Sequence, residues 1–132
     1  MIMKSNLEAL IKEEILVNKG IVSLDENDVQ KVKDGSDFLD GATAEGKSES
    51  LGELADEAVS QIKDRHPNDQ LAILMLKIRV AQGTEFLMEQ LDAINDVFEK
   101  LGDDVSIMWG IEMDAPITAE IRICVLGGFK KK

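Results

Sequence analysis

LAILMLKIRV, Leu71 to Val80, is the stretch on which the reading of this chain turns. Extended, it places Ala72, Leu74, Leu76, Ile78 and Val80 on one face, all of them apolar. The other face carries Leu71, Ile73 and Met75, then Lys77 and Arg79. That pattern predicts a central strand covered on both sides at its start and wetted on one side at its end. A buried helix would use the same residues. Pro67 and Asn68 before the run and Gly83 after it bracket a segment of strand size and favour the strand.

Working outward, helix and strand patterns alternate. Ser5 or Asn6 can cap a first helix with Leu7, Leu10, Ile11 and Ile15 on one face, closed near Gly20. Asp25 suits the N-cap of a second helix, and Asp28 sits in its first turn, where a carboxylate complements the helix dipole. Leu24 and Val29 stand at the two positions of a hydrophobic staple, and the helix should end near Asp34-Gly35. Ser36 to Thr43 reads as a weak strand and Ala44 to Ser48 as loop. A third helix follows, with Leu51, Leu54, Ala55, Ala58 and Ile62 on one face.

Beyond the central strand, Thr84 is the expected cap of a fourth helix through Leu87, Leu91, Ile94, Phe98 and Leu101, ended by Gly102. Val105 to Met113 and Ala119 to Val125 then alternate cleanly around Asp114-Ala115-Pro116 and read as a hairpin. The sum is an α+β domain with a sheet of about four strands and helices packed on it.

The chain has 132 residues, the size of one domain, and 44% of them are apolar. Its formal net charge is −11. Between residues 25 and 57, eleven acids face only Lys31, Lys33 and Lys47. Such a surface repels phosphates and anionic lipid, so neither nucleic acid nor a membrane is an expected partner. Cys124 is the only cysteine, which excludes an internal disulfide and fits a cytoplasmic setting. No phosphate-binding loop, dinucleotide fingerprint or zinc-spaced cluster occurs, so no cofactor, metal or small-molecule substrate is expected. His66, the only histidine, reads as a solvated loop residue beside Pro67.

Three stretches carry a resemblance. GIVSLDENDVQKV (Gly20 to Val32) resembles the loop and helix that follow the central helix of FtsZ, the tubulin-like division GTPase. FLMEQLDAINDVF and DVSIMWGIEMDAPITAEIRICVLGGF resemble that family's closing helix and strands, with Trp109-Gly110 and Gly127-Gly128 at its aromatic-Gly and small-residue positions. GATAEGKSESLGELADEAV is loosely similar to its intervening strand end and Ala-rich helix.

The resemblance is to the C-terminal domain, and it implies a two-layer sandwich over residues 21–132, preceded in residues 1–20 by the end of the central helix. It also implies a role in head-to-tail filaments. Ser23, Leu24, Asp25, Glu26, Asn27 and Asp28 would meet the nucleotide face of a neighbouring FtsZ-like subunit, or of another copy. Asp25 and Asp28 would position the attacking water there, as catalytic carboxylates acting in trans.

The GTP-binding half of the family has no counterpart in this sequence, so the chain by itself is expected not to be an enzyme. Ser23 stands for the family's Asn, and Glu26-Asn27 for its Phe-Ala. These departures suit an alternative, an acidic accessory or homo-oligomeric domain that keeps the fold without the filament role. Local chemistry leaves the aspartates open, because capping and dipole compensation account for both without any function.

Overall fold

A computed structural model describes residues 4–16 and 24–131. Four strands, β1 (Phe38–Gly46), β2 (Asp69–Ala81), β3 (Ser106–Ala115) and β4 (Ile121–Lys131), form one mixed sheet in the order β1-β4-β2-β3. β4 runs antiparallel to both β1 and β2, and β3 runs parallel to β2. The α+β class and the four strands are as the alternation predicts.

β3 and β4 do not form the expected hairpin. Residues 82–105, which include α4 (Leu91–Leu101), return the chain so that β3 lies parallel on the outer side of β2. Residues 116–120 then cross the end of β2, where Ala81 N donates to Glu120 O at 2.9 Å, and β4 enters on the far side. The connection has five residues where tight hairpins favour two, and a β3 parallel to β2 needs a crossover, which α4 supplies on one face of the sheet.

α3 (Leu51–Arg65) and α4 cover one face of the sheet. Leu54, Ala58 and Ile62 pack there with Leu74, Leu76, Ile78 and Val80 from β2 and Ile121, Ile123 and Val125 from β4. The other face is covered by α1 (Lys4–Ala9), its continuation Leu10–Ile15 and α2 (Glu26–Asp34). Leu10, Ile11, Ile15, Val29 and Val32 meet Met75, Cys124 and Leu126 in a second core. The sandwich of sheet with α3 and α4 therefore carries a third, N-terminal layer. From Leu10 to Ile15 the helix widens to i→i+5 bonding, and Leu16 N closes on Ile11 O at 2.9 Å. The expected closure near Gly20 lies outside the described residues.

Several local expectations change. β1 extends through Ala44 to Gly46, positions read as loop, because pairing with Ile121 to Ile123 of β4 outweighs their weak strand propensity. A bulge at Ala72 turns Leu71 onto the α3 face, beside Phe129 and away from Ile73 and Met75. Helix α4 starts at Leu91 instead of near Thr84. A 3₁₀ turn, Met88–Gln90, precedes it, and Gln90 closes that turn, its Oε1 accepting from Leu87 N at 2.8 Å while its Nε2 donates to Ser48 O at 2.9 Å. Gly102 ends α4 at φ 86°, a conformation that residues with a Cβ avoid.

Candidate functional site

At the start of α2, Asp25 is extended, and its side chain accepts from the backbone N–H of Asp28 at 3.0 Å. Asp28 answers by accepting from Asp25 N at 2.9 Å. The two carboxylates close a reciprocal capping box, so both candidate catalytic residues satisfy backbone donors of their own helix. Each uses one oxygen in the box. Leu24 and Val29 are buried at the staple positions, which fixes the angle at which the chain enters the helix.

The remaining partner-binding candidates Glu26 and Asn27 are exposed, as is Asp25, while Asp28 is half-buried. Together with Leu16, the residues Asp25, Glu26 and Asn27 line an open depression of about 400 Å³. Ser23 lies outside the described residues. What this arrangement offers is a rigid, acidic projection whose carboxylates can accept hydrogen bonds from a partner or from water. Among the described residues no group of three or more His, Cys, Asp or Glu side chains is placed to hold a metal ion, and no helix is long and apolar enough to cross a membrane.

A second polar feature was not foreseen. Lys77 and Arg79, expected to be wetted, are 2% and 6% exposed. The sheet register aligns Glu112, Arg79, Arg122 and Glu45 in one row across all four strands. Arg79 Nε donates to Glu112 Oε1 at 2.8 Å, and Arg122 Nη1 to Glu45 Oε2 at 3.2 Å. The two arginines sit on adjacent strands, where like charges repel.

Glu14, from the N-terminal helix, lies across the pair. It accepts from Arg79 Nη1 at 3.3 Å and from Arg122 Nη2 at 3.2 Å. Lys77 Nζ donates to Ile15 O at 2.9 Å, satisfying a carbonyl at the helix end, and reaches Glu112 Oε1 at 3.6 Å. Burial, reinforced by the nearby Arg79 charge, lowers the Lys77 pKa although Glu112 opposes the shift. Burial, with Glu14 nearby, pushes the Cys124 thiol up to about 12, so it is a packing residue and not a ready nucleophile. The signal available in the sequence was the period-2 placement of Lys77, Arg79, Glu112 and Arg122 within otherwise apolar strands.

His66 also departs from expectation. Its side chain is 11% exposed, its Nε2 lies 2.8 Å from Asp40 Oδ2, and its ring centroid is 4.8 Å from those of both Phe38 and Phe129. Arg65 Nε donates to the same oxygen of the buried Asp40 at 2.9 Å. The pair at the end of α3 thus ties that helix to β1, a contact between residues 25 and 26 positions apart that local sequence does not carry.

No protein-family model matches the sequence, and a search of curated proteins finds no match. Solved structures do match. An empty FtsZ dimer from M. jannaschii superposes with a TM-score of 0.60 at 16% identity, covering 97% of this chain and 41% of that one. A tryptophan-to-tyrosine mutant of FtsZ from M. jannaschii gives 0.59 at 20% identity, covering 98% and 44%. The chain therefore spans less than half the length of these FtsZ chains, and what it shares with them over nearly its whole extent is an FtsZ C-terminal-domain-like fold.

Proposed function

We propose that this chain is a protein-interaction module of FtsZ-like filament assembly, with residues 23–29 meeting the nucleotide face of a neighbouring FtsZ-like GTPase subunit. The observation that carries the reading is the start of α2. Two carboxylates, each accepting from the other residue's backbone N–H and held by the Leu24–Val29 staple, stand with exposed Glu26 and Asn27 on an FtsZ-like fold. In that role the second oxygens of Asp25 and Asp28 orient a water on the partner's nucleotide, a task that needs an acceptor in place and no further chemistry from this chain. The chain itself is then not an enzyme, and its place is the cytoplasm, with no direct contact to membrane or nucleic acid.

The test is GTP hydrolysis by an FtsZ titrated with this chain and with two sets of variants. Asp25→Ala with Asp28→Ala removes both charges and the capping box. Asp25→Ser with Asp28→Gln removes the charges and keeps side chains able to cap. A change in rate that both double variants abolish supports the assignment. An effect that survives in the Ser/Gln variant assigns the carboxylates to capping alone. A second reading, an acidic accessory or homo-oligomeric domain, draws on the polar Glu26-Asn27 at the projecting turn. Self-association in sedimentation, with no effect on FtsZ, would favour it.

A further inference from the structure

The imidazole of His66 is held in one orientation. Asp40 is buried and accepts on both oxygens, Oδ1 from Gly41 N at 2.8 Å and Oδ2 from Arg65 Nε at 2.9 Å. A carboxylate engaged in this way is an acceptor toward the imidazole too, so His66 Nε2, 2.8 Å from Oδ2, carries the proton between them. In the neutral ring that leaves Nδ1 as an acceptor. Among the described residues Nδ1 has no hydrogen-bond partner, and it is not enclosed. Phe38 and Phe129, each with its ring centroid 4.8 Å from that of His66, keep the ring in place. A ligand meeting Nδ1 therefore has little rotamer freedom to remove.

The same histidine lines a depression of about 490 Å³ at the corner between α3 and β2, a volume in the range of small-molecule sites. Buried Leu71 and Phe129 line its inner side, while exposed Lys63, Asp64 and Pro67 and half-buried Asp69 stand around it. The lining thus offers one fixed neutral acceptor, two carboxylates and carbon, against a single ammonium. An anionic ligand would meet Asp64, Asp69 and the Nδ1 lone pair with only Lys63 in its favour. A cation bearing N–H donors meets complementary groups at each of those three places, and the formal net charge of −11 draws it toward the protein.

We infer that this corner is a binding site for a small primary amine in its ammonium form, one N–H donating to His66 Nδ1, the charge balanced by Asp64 and Asp69, and the apolar frame lying against Pro67 and Leu71. Leu71 and Phe129 belong to the α3 face of the sheet, whereas α2 covers the other face. Occupancy is therefore separate from the contact proposed for the start of α2.

The probe is phenethylammonium. Its controls are phenethyltrimethylammonium, which keeps ring and charge without an N–H, and phenylacetate, which keeps the ring and reverses the charge. Binding is followed by NMR at pH 8, in enough salt to screen unspecific attraction to the acidic surface. His66 is the only histidine, so its ring protons report on the site without overlap. Phenethylammonium is expected to shift those signals to saturation and to bind about tenfold more tightly than either control, the worth of one charge-assisted hydrogen bond.

His66→Phe keeps a ring between Phe38 and Phe129 and leaves Asp40 to Arg65. In that variant, read by the amides of residues 63–71, the preference for the N–H-bearing cation should vanish. Asp64→Asn with Asp69→Asn, changes at the rim that leave the imidazole alone, should weaken phenethylammonium several-fold and leave phenylacetate no weaker. The proposal is overturned if the His66 signals do not saturate, if either control binds as well, or if His66→Phe retains the preference. Should His66→Phe fail to fold, the ranking of the three ligands on the parent chain decides. Shifts spread evenly over the acidic surface, with none concentrated at residues 63–71, would overturn it too.

Discussion

Replacing Glu14 by Ala tests how the N-terminal helix is held to the sheet. Glu14 lies across Arg79 and Arg122, whose side chains are 7% and 30% exposed. Arg79 keeps Glu112 as a buried partner, whereas the acidic partner left to Arg122 among the described residues is Glu45, itself 49% exposed. Without Glu14 the arginines face each other across neighbouring strands about 5 Å apart, and at an effective dielectric of about 20 they repel by roughly 3 kcal/mol. Water reaching the freed guanidinium groups reduces this, so the expected loss is about 2–3 kcal/mol, or roughly 6–12 °C in Tm for a domain of this size.

Urea unfolding followed by Trp109 fluorescence and far-ultraviolet circular dichroism measures that loss. Glu13→Ala, a change to the exposed neighbouring carboxylate, should stay within about 0.5 kcal/mol. In an Arg122→Met background, Glu14→Ala should lose less by more than about 1 kcal/mol, because the repelling pair is already gone. A loss below about 1 kcal/mol in the parent, or an unchanged loss in the Met background, would refute the bridging role.

Three further outcomes are expected. The Cys124 thiol titrates at 9.0 in the unfolded chain and about 12 in the fold, so its contribution is complete below pH 9 and lost as pH rises toward 12, an effect of order 4 kcal/mol. Lys77, with its pKa lowered on folding, acts in the opposite sense as it deprotonates. Cys124→Ala should therefore flatten the alkaline fall in the urea midpoint, and an unchanged slope would exclude the thiol. Asp25→Ala alone should cost about 1 kcal/mol through the lost cap, measured by urea unfolding, whether or not the residue acts on a partner. Gly128→Ala should cost about 1–3 kcal/mol, because its new Cβ would collide with Ser36 Oγ and lie 3.1 Å from Val32 Cγ1. A neutral effect would show that the connection from α2 to β1 moves aside freely.

Local chemistry alone determined much of this protein. Period-2 runs at Val105 to Met113 and Ile121 to Val125 and helical spacing at Leu51 to Ile62 fixed element type and buried face, because those patterns depend only on backbone geometry. Asp25, Asp28, Leu24 and Val29 were legible as cap and staple because every partner lies within five positions. Tertiary structure decided what depends on partners far apart in the chain. Strand order was decided by the α4 crossover, which set β3 parallel on the outer side of β2 and broke the apparent hairpin. Lys77 and Arg79 changed from wetted to buried because Glu14, Glu112 and Ile15 come to them from 33 to 65 residues away, and His66 because Asp40 and Phe129 close around it. A charged side chain's environment is set by what folds over it, and no window of local sequence contains that neighbour.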